Sequence, residues 1–213
     1  MITYININEI KEILSPEVNL LAVSKGQTES FIRFFAEKGQ FHFGESRLQE
    51  ATPKIKNLSD INGIRWHFVG RLQSNKVRGV VKIFDVIHSV HSLALGERIS
   101  RISGEENRFP QIMLQVKLRE DSAKVGLSKE ELLQAWTKLR SLPNMNITGL
   151  MTIPPINLDL EGRKVLFREC RDLADGLGLK DCSMGMSRDW REAVNAGATW
   201  IRVGTLLFGN RVK

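Results

Sequence analysis

Eight short β-like runs alternate with helix-like segments along almost the whole chain, and that alternation leaves few folds open. In order, the runs are Asn19 to Ser24, Phe41 to Phe43, Trp66 to Val69, Asp85 to Ser89, Gln111 to Leu118, Ile147 to Thr152, Cys182 to Gly185 and Thr199 to Val203. Helical periodicity falls between them, over Glu29 to Lys38, Glu45 to Lys56, Ser92 to Ser103, Ser128 to Ser141, Glu161 to Gly176 and Arg188 to Ala196. Ser128 with Glu131 three residues on signals a helix start, and Gly39 and Gly197 signal stops. Eight β/α units predict a closed (β/α)8 barrel. An open doubly wound sheet also fits an alternating pattern, and periodicity alone does not separate the two.

The 213 residues show no linker-like composition, short repeat or low-complexity tract, so residues 1–213 are read as one domain, long enough to bury roughly 70% of its unfolded surface. Cys170 and Cys182 have neither metal-ligand nor CxxC spacing, and they give no disulfide framework, which points to a reducing cytoplasm. The first residues lack a charged n-region and a continuous apolar core, and no later apolar run is long enough to span a bilayer. A net charge of +7 permits anionic ligands, but the 31 Lys and Arg residues are scattered, so no nucleic-acid surface and no membrane contact are expected. Neither a metal-binding cluster, a GxGxxG motif nor a Walker loop is present.

In a barrel, chemistry sits on the loops at the C-terminal ends of the strands. Lys25, Gly44-Glu45, Gly70-Arg71, Ser89, Met151-Thr152, Ser187 and Gly204-Thr205 all fall there in the strands as drawn. Lys25 closes the apolar run Leu20 to Ser24; desolvation there would lower its pKa toward a reactive, imine-forming amine, the plain alternative being a solvated lysine. Ser187 is expected to cap a helix with Asp189 in its first turn, an arrangement that is either ordinary capping, about 1 kcal/mol, or an anchor for phosphate. In Arg202-Val203-Gly204-Thr205 the glycine lets backbone amides approach an anion, and Thr205 adds a hydroxyl. The plain alternative there is a turn after the last strand.

Arg202 shares a strand face with Gly204 and so can point into the barrel, either beside a ligand or as an interior ion-pair partner. A guanidinium only donates. Facing a pyridine nitrogen, it would leave that nitrogen unprotonated and the ring a weak electron sink. Together the lysine, the phosphate-type groups and the arginine suggest a pyridoxal phosphate site.

Ala22-Val23-Ser24-Lys25, Phe43-Gly44-Glu45, the run Trp66 to Lys76, Gly149-Leu150-Met151, Ser183 to Ser187 and Arg202 to Thr205, in this order, resemble the pyridoxal phosphate homeostasis protein family. The resemblance covers nearly the whole chain. It implies a single-domain barrel of the alanine racemase N-terminal type carrying pyridoxal 5'-phosphate as a Schiff base on Lys25. It also implies phosphate contacts from Ser187, Gly204 and Thr205, a ring-nitrogen contact from Arg202, and Met151 and His67 lining the site. Departures are Ser46 where the family usually has asparagine, Arg188 where an acidic or small residue is common, and Gly26-Gln27 where threonine or another side chain is more usual.

The resemblance further implies a regulator of vitamin B6 and amino-acid homeostasis rather than an enzyme, with pyridoxal phosphate-dependent apoenzymes as recipients and a monomeric state. The alternatives are a low-activity pyridoxal phosphate-dependent racemase or lyase, and a Schiff-base aldolase that uses Lys25 without the cofactor. Two-base racemisation needs a second acid/base group opposite the lysine. The one tyrosine is Tyr4, the histidines are His42, His67, His88 and His91, and His42 and His67, within strands, are expected to be hydrogen-bonded core residues. No catalytic residue is assigned.

Overall fold

The computed structural model describes residues 7–209, so Tyr4 lies outside the described part. Eight parallel strands close on themselves in sequential order. They are β1 (Asn19–Val23), β2 (His42–Glu45), β3 (Arg65–Phe68), β4 (Val86–Val90), β5 (Gln111–Val116), β6 (Asn146–Thr152), β7 (Asp181–Met186) and β8 (Trp200–Val203). Closure is made by β1 against β8, with Ala22 opposite Val203, which rules out the open sheet. No helix among the described residues is long and apolar enough to cross a membrane.

The strand period of two divides the core into two parts. Leu20, Ala22, Trp66, Phe68, Ile112, Leu114, Leu150, Cys182, Met184 and Ile201 point outward into the large apolar layer beneath the helices. Alternate residues Leu21, Met113, Met151 and Trp200 form a separate cluster inside the barrel. The rest of that interior carries His67, His88, Ser183 and Arg202, all buried.

The outer helices are α1 (Ile7–Ile13), α2 (Glu29–Glu37), α3 (Leu48–Asn57), α4 (Val77–Ile83), α5 (Leu93–Glu105), α6 (Lys129–Arg140), α7 (Leu160–Gly176), α8 (Trp190–Asn195) and the short α9 (Thr205–Phe208). At α6 the Ser128 hydroxyl accepts from the Glu131 amide while Glu131 accepts from the Ser128 amide, the expected capping box. Gly39 and Gly197 take positive φ angles of 73° and 87° just past α2 and α8.

The structure departs from the expected elements in several places. Glu45 ends β2 instead of opening a helix, because its carboxylate is drawn inward to Ser24 and Lys54. The helix over Val77–Ile83 was not expected; its β-branched sequence favours strand, and the burial of Val77, Val80 and Val81 on one face decides otherwise. Finally, Asp189 and not Ser187 immediately precedes α8.

Candidate functional site

Lys25 lies two residues past β1, in a turn, and is exposed. The expected burial is not found, because the apolar run ends with the strand and the chain turns outward. The backbone on both sides of Lys25 is held by charged groups. Lys54 Nζ donates to the Ser24 carbonyl at 3.0 Å, and the Gly26 amide donates to the Glu50 carboxylate. Lys54 is also 3.0 Å from Glu45 Oε1 and 2.7 Å from Glu50 Oε1, while the Ser24 hydroxyl donates to Glu45 Oε1 at 2.7 Å. Burial pushes the Glu45 carboxyl up, with Lys54 and Ser24 pulling the other way. Lys54 and Glu50 escaped the sequence reading because, within α3, they look like ordinary surface charges.

Closure of the barrel brings the end of β8 beside Lys25. A Cβ on Gly204 would lie 3.2 Å from the Val23 carbonyl oxygen, so this position is kept open for close backbone approach. Next to it, the Thr205 hydroxyl donates to the Ser187 hydroxyl at 3.2 Å, joining the ends of β7 and β8. Ser187 is available for that contact because Asp189 organises the turn: its buried carboxylate accepts from the Met186 amide at 2.7 Å and from Arg163 Nη1 at 3.1 Å.

Arg202 is also buried, at the end of β8. Its Nη1 donates to Ser183 Oγ and its Nη2 to the Thr152 carbonyl, both at 2.8 Å. Among the described residues it forms no ion pair, so the interior ion-pair alternative is not realised. Burial lowers its pKa to about 10, and it remains a cation at neutral pH. Two of its nitrogens each use one N–H on the protein, which leaves donors for a ligand.

Met151 lies in the apolar interior cluster, one residue before Thr152. His67 is fully buried, one residue before the end of β3, and both its ring nitrogens are engaged: Nε2 lies 3.0 Å from His42 Nδ1, and Nδ1 lies 2.9 Å from His88 Nε2. His88 Nδ1 is in turn 2.9 Å from Ser183 Oγ. The hydrogen-bonded histidines expected in these strands are therefore present, and His88 joins them. Burial lowers the pKa of all three; His67 is pushed well below the usual histidine range and His88 to about 3.

The structure thus gathers Lys25, Ser187, Arg202, Gly204 and Thr205 on the adjacent ends of β7, β8 and β1, with Met151 within the barrel and His67 reaching Arg202 only through His88 and Ser183. An amine, two hydroxyls, an open glycine backbone and a guanidinium with spare donors suit a phosphorylated pyridine aldehyde. The departures at Ser46, Gln27 and Arg188 are respectively half-buried, buried and exposed.

The sequence profile for the alanine racemase N-terminal domain matches residues 4–212. A pyridoxal phosphate homeostasis protein from Synechocystis is 46% identical over 211 residues, spanning 96% of this chain and 97% of the relative. Two solved structures of PipY from Synechococcus elongatus, one without and one with pyridoxal phosphate bound, superpose with TM-scores of 0.94 and 0.92. Each is 45% identical, with 95% of this chain and 98% of PipY covered.

Proposed function

The chain belongs to the pyridoxal phosphate homeostasis proteins, built on the alanine racemase N-terminal domain, and from that membership we propose that it holds pyridoxal 5'-phosphate on Lys25 and regulates the supply of this vitamin B6 form, and with it amino-acid homeostasis, without catalytic turnover. The observation that carries this reading is Arg202, a buried guanidinium with no carboxylate partner among the described residues, held beside the rim that bears Lys25. When bound, pyridoxal phosphate supplies an aldehyde that condenses with an amine and a pyridine ring that can withdraw electrons.

Lys25 is the amine, and its exposed position suits uptake and release. Ser187, Thr205 and the Gly204 backbone bind the phosphate, Met151 gives the site an apolar floor, and Arg202 donates to the ring nitrogen. Because that donor cannot accept a proton, it leaves the ring a weak electron sink and disfavours removal of an amino-acid α-proton. His67, with both nitrogens occupied, is poorly suited to act as the second base. Recipients are pyridoxal phosphate-dependent apoenzymes, served in the cytoplasm by a monomer.

Lys25→Ala tests the covalent part. It should abolish borohydride trapping and weaken retention, and an unchanged absorption spectrum and unchanged retention would refute attachment at Lys25. For turnover, loss of α-deuterium from a panel of amino acids should not exceed that with free pyridoxal phosphate; faster exchange would favour the racemase or lyase reading.

A further inference from the structure

Five polar side chains cross the barrel interior in one unbroken series. It runs from His42, half-buried at the start of β2, through His67 on β3 and His88 on β4 to Ser183 on β7, and ends at Arg202. The contacts measure 3.0, 2.9, 2.9 and 2.8 Å. Arg202 has only protons to give, so Ser183 Oγ accepts from it. The hydroxyl proton then has His88 Nδ1 as its acceptor, the remaining hydrogen-bond partner of Ser183 Oγ among the described residues. That choice fixes everything behind it: His88 Nε2–H donates to His67 Nδ1, and His67 Nε2–H donates to His42 Nδ1.

We propose that Ser183, His88, His67 and His42 are positioning residues for Arg202, forming a relay of fixed polarity in which every neutral imidazole turns its lone-pair nitrogen toward the guanidinium. A buried charge needs compensation, and among the described residues Arg202 has no carboxylate in ion-pair contact, Asp189 acting on it only at longer range. Aligned dipoles, each polarising the next, supply negative potential while leaving the guanidinium's other donors aimed at a ligand. The depressed pKa values of His67 and His88 fit neutral rings. The inference rests on the reading of Arg202 as the ring-nitrogen donor.

Nitrogen-15 NMR of histidine-labelled protein without cofactor tests the polarity directly, since the chain has only four histidines. His67 and His88 should each show a single Nε2–H tautomer; an Nδ1–H or mixed tautomer at either ring would overturn the relay. Ser183→Ala should give His88 mixed tautomers, shift the absorption maximum of bound pyridoxal phosphate and weaken its binding about tenfold, while borohydride still traps it on Lys25. Unchanged absorption and affinity in that variant would refute the positioning role. If the variant does not fold, the tautomers of the unmodified protein decide. Failure of the unmodified protein to bind pyridoxal phosphate would instead sink the proposed function, with the relay's polarity still settled by the same spectra.

Discussion

Gly204 and Gly70 illustrate how single residues divide between site and scaffold. Gly204→Ala would set a methyl 3.2 Å from the Val23 carbonyl oxygen, a crowding that a shift of a few tenths of an ångström relieves. The expected outcome is a nearly unchanged melting temperature with weaker pyridoxal phosphate retention, read by thermal denaturation beside a spectroscopic titration. At Gly70 the added Cβ would lie 2.0 Å from the Ser46 carbonyl oxygen, and backbone has to move. Gly70→Ala should therefore lower stability by about 1–3 kcal/mol in urea denaturation. The groups proposed to bind cofactor were legible because each stands in a short motif. Ser183 and His88 were not seen as partners of Arg202, since 95 residues separate Ser183 from His88. The available signal was that His67 and His88 occupy the inward phase of neighbouring strands.

Among the elements, the turn between β7 and α8 depends on Asp189 as an internal acceptor. Asp189→Ala would leave the Met186 amide and Arg163 without it, and should cost about 2 kcal/mol and weaken cofactor retention by releasing Ser187. Asp159, whose exposed side chain caps α7 through the Gly162 amide, is the control: Asp159→Ala should cost about 1 kcal/mol and leave retention unchanged. Chemical denaturation and cofactor titration of both variants check the contrast. Sequence gave all eight strands to within two residues at each boundary, because outward-facing apolar residues recur along each. It placed the cap of α8 wrongly because Ser187 and Asp189 are both good cap types, and only the fold shows which one turns back to the strand. The α1 helix and α4 went unrecognised because both are short and α4 is β-branched, so packing outweighs local preference.

Across the whole molecule, neutral histidines in the barrel make stability depend on pH. Their folded pKa values lie below the unfolded value near 6.5, so the unfolded chain takes up protons first as the pH falls. Stability is complete above about pH 6.5 and declines below it, by about 1.4 kcal/mol per pH unit for each fully buried histidine, down to about pH 3 for His88. Glu45, whose carboxyl burial raises, opposes the decline in its lower part. Urea midpoints measured from pH 7.5 to 5 should fall with acid, and a flat profile would mean that the interior histidines take up protons in the fold as readily as in the unfolded chain. The central claim, that this barrel carries pyridoxal phosphate on Lys25, is tested most directly by recording the absorption spectrum of the protein with pyridoxal phosphate, reducing with borohydride and mapping the modified residue by mass spectrometry. A bound-cofactor absorption band and a pyridoxyl group on Lys25 are predicted, whereas a colourless protein, or a label only on other lysines, would contradict it.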